Sequence, residues 1–140
     1  VDQSYLGQYA DTFMICHNLV ENDLNWYNPE FSSASMAGPD DNGPGHVFMT
    51  TKDLNFGTFN ILTIIIENNA EIVSLMYDAA NTYASRRGWK NPGYYFHCYP
   101  HNSVQSLHLH IVNEDTVGPA FYTQKYKNIN IMDVIIAMQF

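Results

Sequence analysis

Apolar and polar positions alternate most sharply in SVQSLHLHIV, residues 103–112. Leu107, Leu109 and Ile111 interleave with Ser106, His108 and His110, which is the period of a half-buried strand. One face of such a strand is greasy. The other carries a serine and two imidazoles in a row. FMICHNLV (Phe13 to Val20), HVFMTT (His46 to Thr51) and YYFHCY (Tyr94 to Tyr99) also read as strands. Between about Thr58 and Arg87 the period changes. Leu62, Ile65, Ile66, Ile72, Leu75, Met76, Ala79, Ala80 and Tyr83 recur at three and four, predicting an amphipathic helix with a break near Asn68 and Asn69. Arg86 and Arg87 suit its C-terminal end, and Gly88 is its expected stop. The tail KNINIMDVIIAMQF alternates less cleanly and reads as a short helix.

The order is strands, one long helix, then strands, with no βαβ repeat. It predicts a single α+β domain over residues 1–140: an antiparallel sheet of about five strands with one long helix packed on it. Residues 22–45, rich in Asn, Pro, Gly, Asp and Ser, read as a long irregular connection, with a short strand expected near Trp26. Connections of that length in compact domains tend to carry function or to move.

Composition narrows the function classes. A chain of 140 residues with 46% hydrophobic content suits one folded domain with a real core. Net charge is −8, with only six Lys and Arg. That argues against a surface for duplex nucleic acid, which needs clustered cations. A pocket for one nucleotide remains open, because backbone N–H groups and neutral donors can hold a phosphate. Cys16 and Cys98 form no CxxC pair and read as two free buried thiols in a reducing compartment. No signal-peptide pattern is present, and the longest apolar block, ILTIII, is too short to span a bilayer. An intracellular protein, cytoplasmic or organellar, is expected. Val1 in place of a Met leaves room for a preceding segment.

The histidine pair admits three readings. It can be a sheet face with two hydrogen-bonded polar residues. It can be part of a metal site, with His97, Cys98 and His101 as further ligands, although no CxxC or HExxH spacing supports one. It can also be a nucleophile with a neighbour that assists a leaving group, since imidazole titrates near neutral pH and can do either job.

FHCYPHNSVQSLHLHIV, residues 96–112, resembles the signature of the histidine-triad superfamily. There H-x-H-x-H and two apolar residues sit on a strand. The resemblance is closest to the branch holding Hint-type nucleotide-binding proteins and aprataxin, where the run reads roughly F-H-x-P-P-x-x-S-x-x-H-L-H-L-H-V. PGHVFMTTKDL is similar to that family's upstream strand, which ends in P-K-x-H. The resemblance spans about Ile15 to Phe140, but only residues 96–112 are specific.

The resemblance implies a chemistry that uses no metal or other cofactor. The middle histidine, here His108, attacks the α-phosphorus of a nucleotide, and a nucleotidyl-histidine forms and is released. His110 contacts the phosphate and the leaving group. Ser103, Ser106, His97 and Asn102 are the implied substrate-binding residues. The implied partner is a purine nucleotide, the implied activity that of a nucleoside phosphoramidase or nucleotidyl hydrolase. A homodimer or larger assembly follows only by analogy with relatives that pair through sheet edge and helix. A strand sets His108 and His110 about 7 Å apart on one face, near enough to address one phosphate.

Two positions depart from the pattern. Ser106 stands where the first triad histidine stands, and Asp53 stands where P-K-x-H ends. Serine donates a hydrogen bond but carries no proton at neutral pH. Losing an orienting or acid group commonly costs about 10² to 10⁴ in rate. The alternative is therefore a catalytically degraded relative, serving as a nucleotide sensor or a structural subunit. His46 reads as a structural histidine at a strand edge. Asp40 and Asp41 read as solvated. Trp26 and Tyr27 suit either the core or stacking on a base. GPDDNGPG has no P-loop spacing.

Overall fold

A computed structural model describes residues 2–17, 45–52, 70–97, 107–116 and 128–138. In chain order these form a 3-10 segment Gln3–Asp11, β1 (Phe13–His17), β2 (His46–Thr51), α1 (Ala70–Arg86), β3 (Pro92–His97), β4 (His108–Asn113), a 3-10 turn Glu114–Thr116, β5 (Asn128–Asn130) and α2 (Ile131–Ala137). The five strands make one sheet in the order β1-β2-β4-β3-β5. Every pairing is antiparallel. The expected α+β architecture, with one long helix on an antiparallel sheet, is what the described residues form.

The register divides the sheet into two faces. Phe13 pairs with Thr51, Ile15 with Met49, Met49 with Leu109, Val47 with Ile111, and Tyr94 with Ile111. Side chains alternate along each strand, so these residues share one face. Nearly all of them are buried in a core that also takes Ile72, Val73, Met76, Ala79, Ala80, Tyr83 and Ala84 from α1. Those helix positions recur at three and four, as an amphipathic helix on a sheet requires. Burying each large apolar side chain there contributes about 1.5–3 kcal/mol.

α1 ends as its sequence predicts. Gly88 has φ +76°, a left-handed conformation that only glycine takes without strain. Its N–H donates to Ser85 O, and the Trp89 N–H donates to Ala84 O, both at 3.0 Å. These two bonds form a Schellman motif. Trp89 packs edge-on against buried Tyr83, and the Arg87 guanidinium lies 4.7 Å from the Trp89 ring centre while donating to Tyr83 Oη.

The N-terminal segment docks on α1 and β1. The Gln3 amide receives the Ile15 N–H and donates to the Ile15 carbonyl, both at 2.8 Å. It thus satisfies part of the outer edge of β1. Gly7, at φ +59°, passes under Arg86, where a Cβ would lie 2.8 Å from Nη1. Arg86 in turn donates to Ser4 O.

Two expected boundaries change, in β3 and in the tail. α1 is described from Ala70, and positions 58–69 of the expected helix lie outside the described residues. β3 starts at Pro92, two residues before the expected Tyr94; Cys98 and Tyr99 lie outside the described residues, as does the expected extension of β1 to Val20. The tail is not one helix. Asn128–Asn130 joins the sheet against β3, and Asn130 then caps α2 by accepting the Met132 N–H at 2.9 Å. The short alternating run NIN finds an open edge beside Tyr95–His97, and sheet pairing overrides its helical surroundings. No helix among the described residues is long and apolar enough to cross a membrane.

Candidate functional site

The face of the sheet away from α1 gathers His46, Phe48 and Thr50 from β2, His108 and His110 from β4, and Tyr95 and His97 from β3. The alternation read from the sequence holds, because Leu107 and Leu109 enter the core while His108 and His110 point the other way. The strand is not half-buried, however. His108 is 9% exposed and His110 6%. β4 is the central strand, so both its edges are flanked by strands, and rings from those strands, Phe48 of β2 and His97 of β3, pack against the imidazoles.

The contacts on this face run diagonally, between positions displaced by two across neighbouring strands, which large rings can bridge. Phe48 is the direct partner of His110, yet its ring meets His108 edge-on at 5.6 Å. His46 is the direct partner of Val112, yet its Nε2 lies 2.8 Å from His110 Nδ1. His97 stacks on His110 with ring centres 3.8 Å apart and planes at 22°. His108 and His110 meet edge-on at 4.9 Å. His110 is the centre of a four-imidazole cluster drawn from three strands.

Tyr95 makes the stack sterically accessible. It is the direct partner of His110, but its ring lies back over Gly93, where a Cβ would come within 2.5 Å of Tyr95 Cε2. There its hydroxyl donates to Glu114 Oε1. Burial and then that carboxylate push the Tyr95 hydroxyl well above its ordinary range. Gly93 thus clears space for Tyr95, and Tyr95 leaves the ground beside His110 to His97. On the outer side, His97 Nε2 donates to Asn128 Oδ1 at 3.0 Å, an oxygen that can only accept. At the other margin Cys16 pairs with Phe48, and burial pushes its thiol up.

Of the residues singled out from the sequence, the structure brings His97, His108 and His110 together. Ser103, Ser106 and Asn102 lie outside the described residues, as do Asp53, His101, Cys98, Trp26, Tyr27, Asp40 and Asp41. His46 joins the cluster through a direct bond to His110, so it is not merely a strand-edge residue. Its place two residues before Phe48 puts it on the histidine face, a signal visible in the alternation of HVFMTT. Asn128 and Tyr95 were not singled out. Asn128 carries no recognisable pattern, and Tyr95 depends on the register of β3 with β4.

The cluster offers ring nitrogens that can donate or accept, held in a sheet whose other face is apolar. Among the described residues no group of three or more His, Cys, Asp or Glu is arranged to hold a metal ion. The rings of His97 and His110 lie face to face, and His46 spends its Nε2 on His110. Comparison with known proteins returns no similarity from which to assign a family: no protein-family model, no curated protein and no solved structure matches the chain.

Proposed function

We propose that the chain is a nucleotide-binding protein of the histidine-triad type, in which His108 forms a transient nucleotidyl-histidine. One observation carries this reading. His108 and His110 share one sheet face with ring centres 4.9 Å apart, close enough for both to address one phosphate. A His108 ring nitrogen bonds to the α-phosphorus of a purine nucleotide as the bond to the leaving group breaks. The leaving group takes a proton from solvent as it departs, and the water that later attacks returns one to solvent. Water then displaces His108 and releases the nucleoside monophosphate. His110 contacts the phosphate and leaving group, and Ser103, Ser106, Asn102 and His97 are the proposed binding residues. The proposed setting is intracellular, with a homodimer or larger assembly as the working state.

A second reading has its own support. His97 lies flat on His110, and His108 and His110 are each about nine-tenths buried. Ser106 and Asp53 replace two histidines of the family pattern. A face filled by its own rings suits a degraded relative that senses nucleotide or serves as a structural subunit.

Incubation with an adenosine phosphoramidate and with adenylylated lysine, followed by intact-mass and peptide analysis, separates the two. Adenylate on His108, absent in His108→Ala, supports the enzyme. In Ser106→His the rate of labelling is expected to rise about ten-fold. No adduct in either protein, with no nucleotide-dependent rise in Tm at millimolar concentration, removes the hydrolase and leaves the structural reading.

A further inference from the structure

A neutral imidazole has one N–H and one bare nitrogen, and a hydrogen bond at one nitrogen sets the state of the other. The 2.8 Å contact between His46 Nε2 and His110 Nδ1 therefore admits two neutral arrangements. In the first, His46 donates, and His110 carries its proton on Nε2. In the second, His110 donates from Nδ1, and both rings carry the proton on Nδ1. The Nε2–H form is the intrinsically favoured tautomer of a neutral histidine side chain. The first arrangement keeps both rings in it, and the second forces both out. His97 is in the same form, since its Nε2 donates to Asn128.

We propose that His46 is a positioning residue: it donates Nε2–H to Nδ1 of His110 and locks that ring as the Nε2–H tautomer. His110 then presents a neutral N–H donor, not a lone pair, at its other nitrogen, which is buried on the histidine face. The stacked ring of His97 holds the plane in which that donor points. The tautomer is inferred from the two-ring contact together with the intrinsic preference for the Nε2–H form. Its use, hydrogen bonding to an oxygen of a phosphate or leaving group, rests on the function proposed above. It fits a chain of net charge −8, because a neutral donor holds an anion without a cation.

Long-range 1H–15N correlation spectra of histidine-labelled protein near neutral pH test the assignment. His46 and His110 are both expected as single Nε2–H tautomers. A scalar coupling across the hydrogen bond should link His46 Nε2 to His110 Nδ1. His46→Phe keeps a ring and removes the donor, and His110 should then show both tautomers. His46→Gln restores an N–H and should restore the single pattern. Bare Nε2 on His46 in the wild type overturns the proposal, as does an unchanged single tautomer in His46→Phe. If His46→Phe fails to fold, the wild-type spectrum decides: a proton on His46 Nε2 with a coupling to His110 Nδ1 supports the proposal, and a proton on His110 Nδ1, or no coupling, overturns it. A locked tautomer without adenylation of His108 removes the hydrolase and leaves the role of His46. Adenylation with His110 in the Nδ1–H form does the reverse.

Discussion

The two faces of the sheet are built from the same strands by opposite means. The α1 side is held by shape and area: Leu109, Ile111, Met49 and Val47 are fully buried, and almost any snug apolar set of the same volume would serve. The opposite side is held by directed contacts. His46 reaches His110 through one nitrogen, His97 reaches Asn128 through another, and Tyr95 reaches Glu114 across Gly93. Adjacent residues of β4 thus obey different rules. Non-directional burial tolerates substitution by volume, whereas a polar ring on a covered face is constrained atom by atom.

The largest expected effect tests the apolar side. Leu109→Ala should cost about 2–5 kcal/mol, as a lost transfer term plus a cavity. Leu109→Met, which keeps an apolar side chain of similar volume, should cost less than about 1.5 kcal/mol. Urea unfolding of both variants checks the contrast, and equal losses would erase it. Next comes Gly93→Ala. Its Cβ would meet Tyr95 and Glu114 at 2.5–2.8 Å, so a loss of about 1–3 kcal/mol is expected. The displaced Tyr95 should also disturb the His97–His110 stack, read as shifted ring resonances. Unchanged histidine spectra would cut the link between Gly93 and the cluster.

Gly88→Ala is the matched control on the helix side. Nothing lies within 4 Å of its added Cβ, so only the φ of +76° resists. A loss of about 1 kcal/mol is expected, with histidine resonances unmoved. The smallest effect at neutral pH concerns Tyr94, on the apolar side, whose hydroxyl donates to Asn81 Oδ1. Burial, with a contribution from Tyr77, pushes that hydroxyl up to about 12. The unfolded chain loses this proton near pH 10 and the folded chain does not, so stability falls as pH rises from about 10 towards 12. Tyr94→Phe should flatten that part of the alkaline stability curve. An unaltered curve would mean that Tyr94 ionises as readily in the fold as in the unfolded chain.

Much of the architecture is legible in the chain because it depends on period. Alternation in HVFMTT and SLHLHIV sets which side chains share a face, whatever the neighbouring strand is. The three-and-four spacing of Ile72, Met76, Ala79, Ala80 and Tyr83 sets the buried stripe of α1. Gly88 after Arg86 and Arg87 sets its end, because the left-handed turn is a local backbone matter. The tail shows where such local logic stops: Asn128–Asn130 is a strand only because the edge of β3 is open to it.

The sequence by itself determined the strand alternation, the long helix and its stop, and the shared face of His108 and His110. Only the tertiary structure decided that β4 lies at the centre of the sheet, and hence that its histidines are covered instead of half exposed. It also decided that His46, 64 residues from His110, supplies the nitrogen that meets it, and that Tyr95 turns over Gly93 and leaves His97 room to stack. The physical reason is the same in each case. Periodicity is a property of neighbouring residues along one strand, whereas strand order, register and diagonal ring contacts arise between segments whose separation in sequence carries no trace of their distance in space.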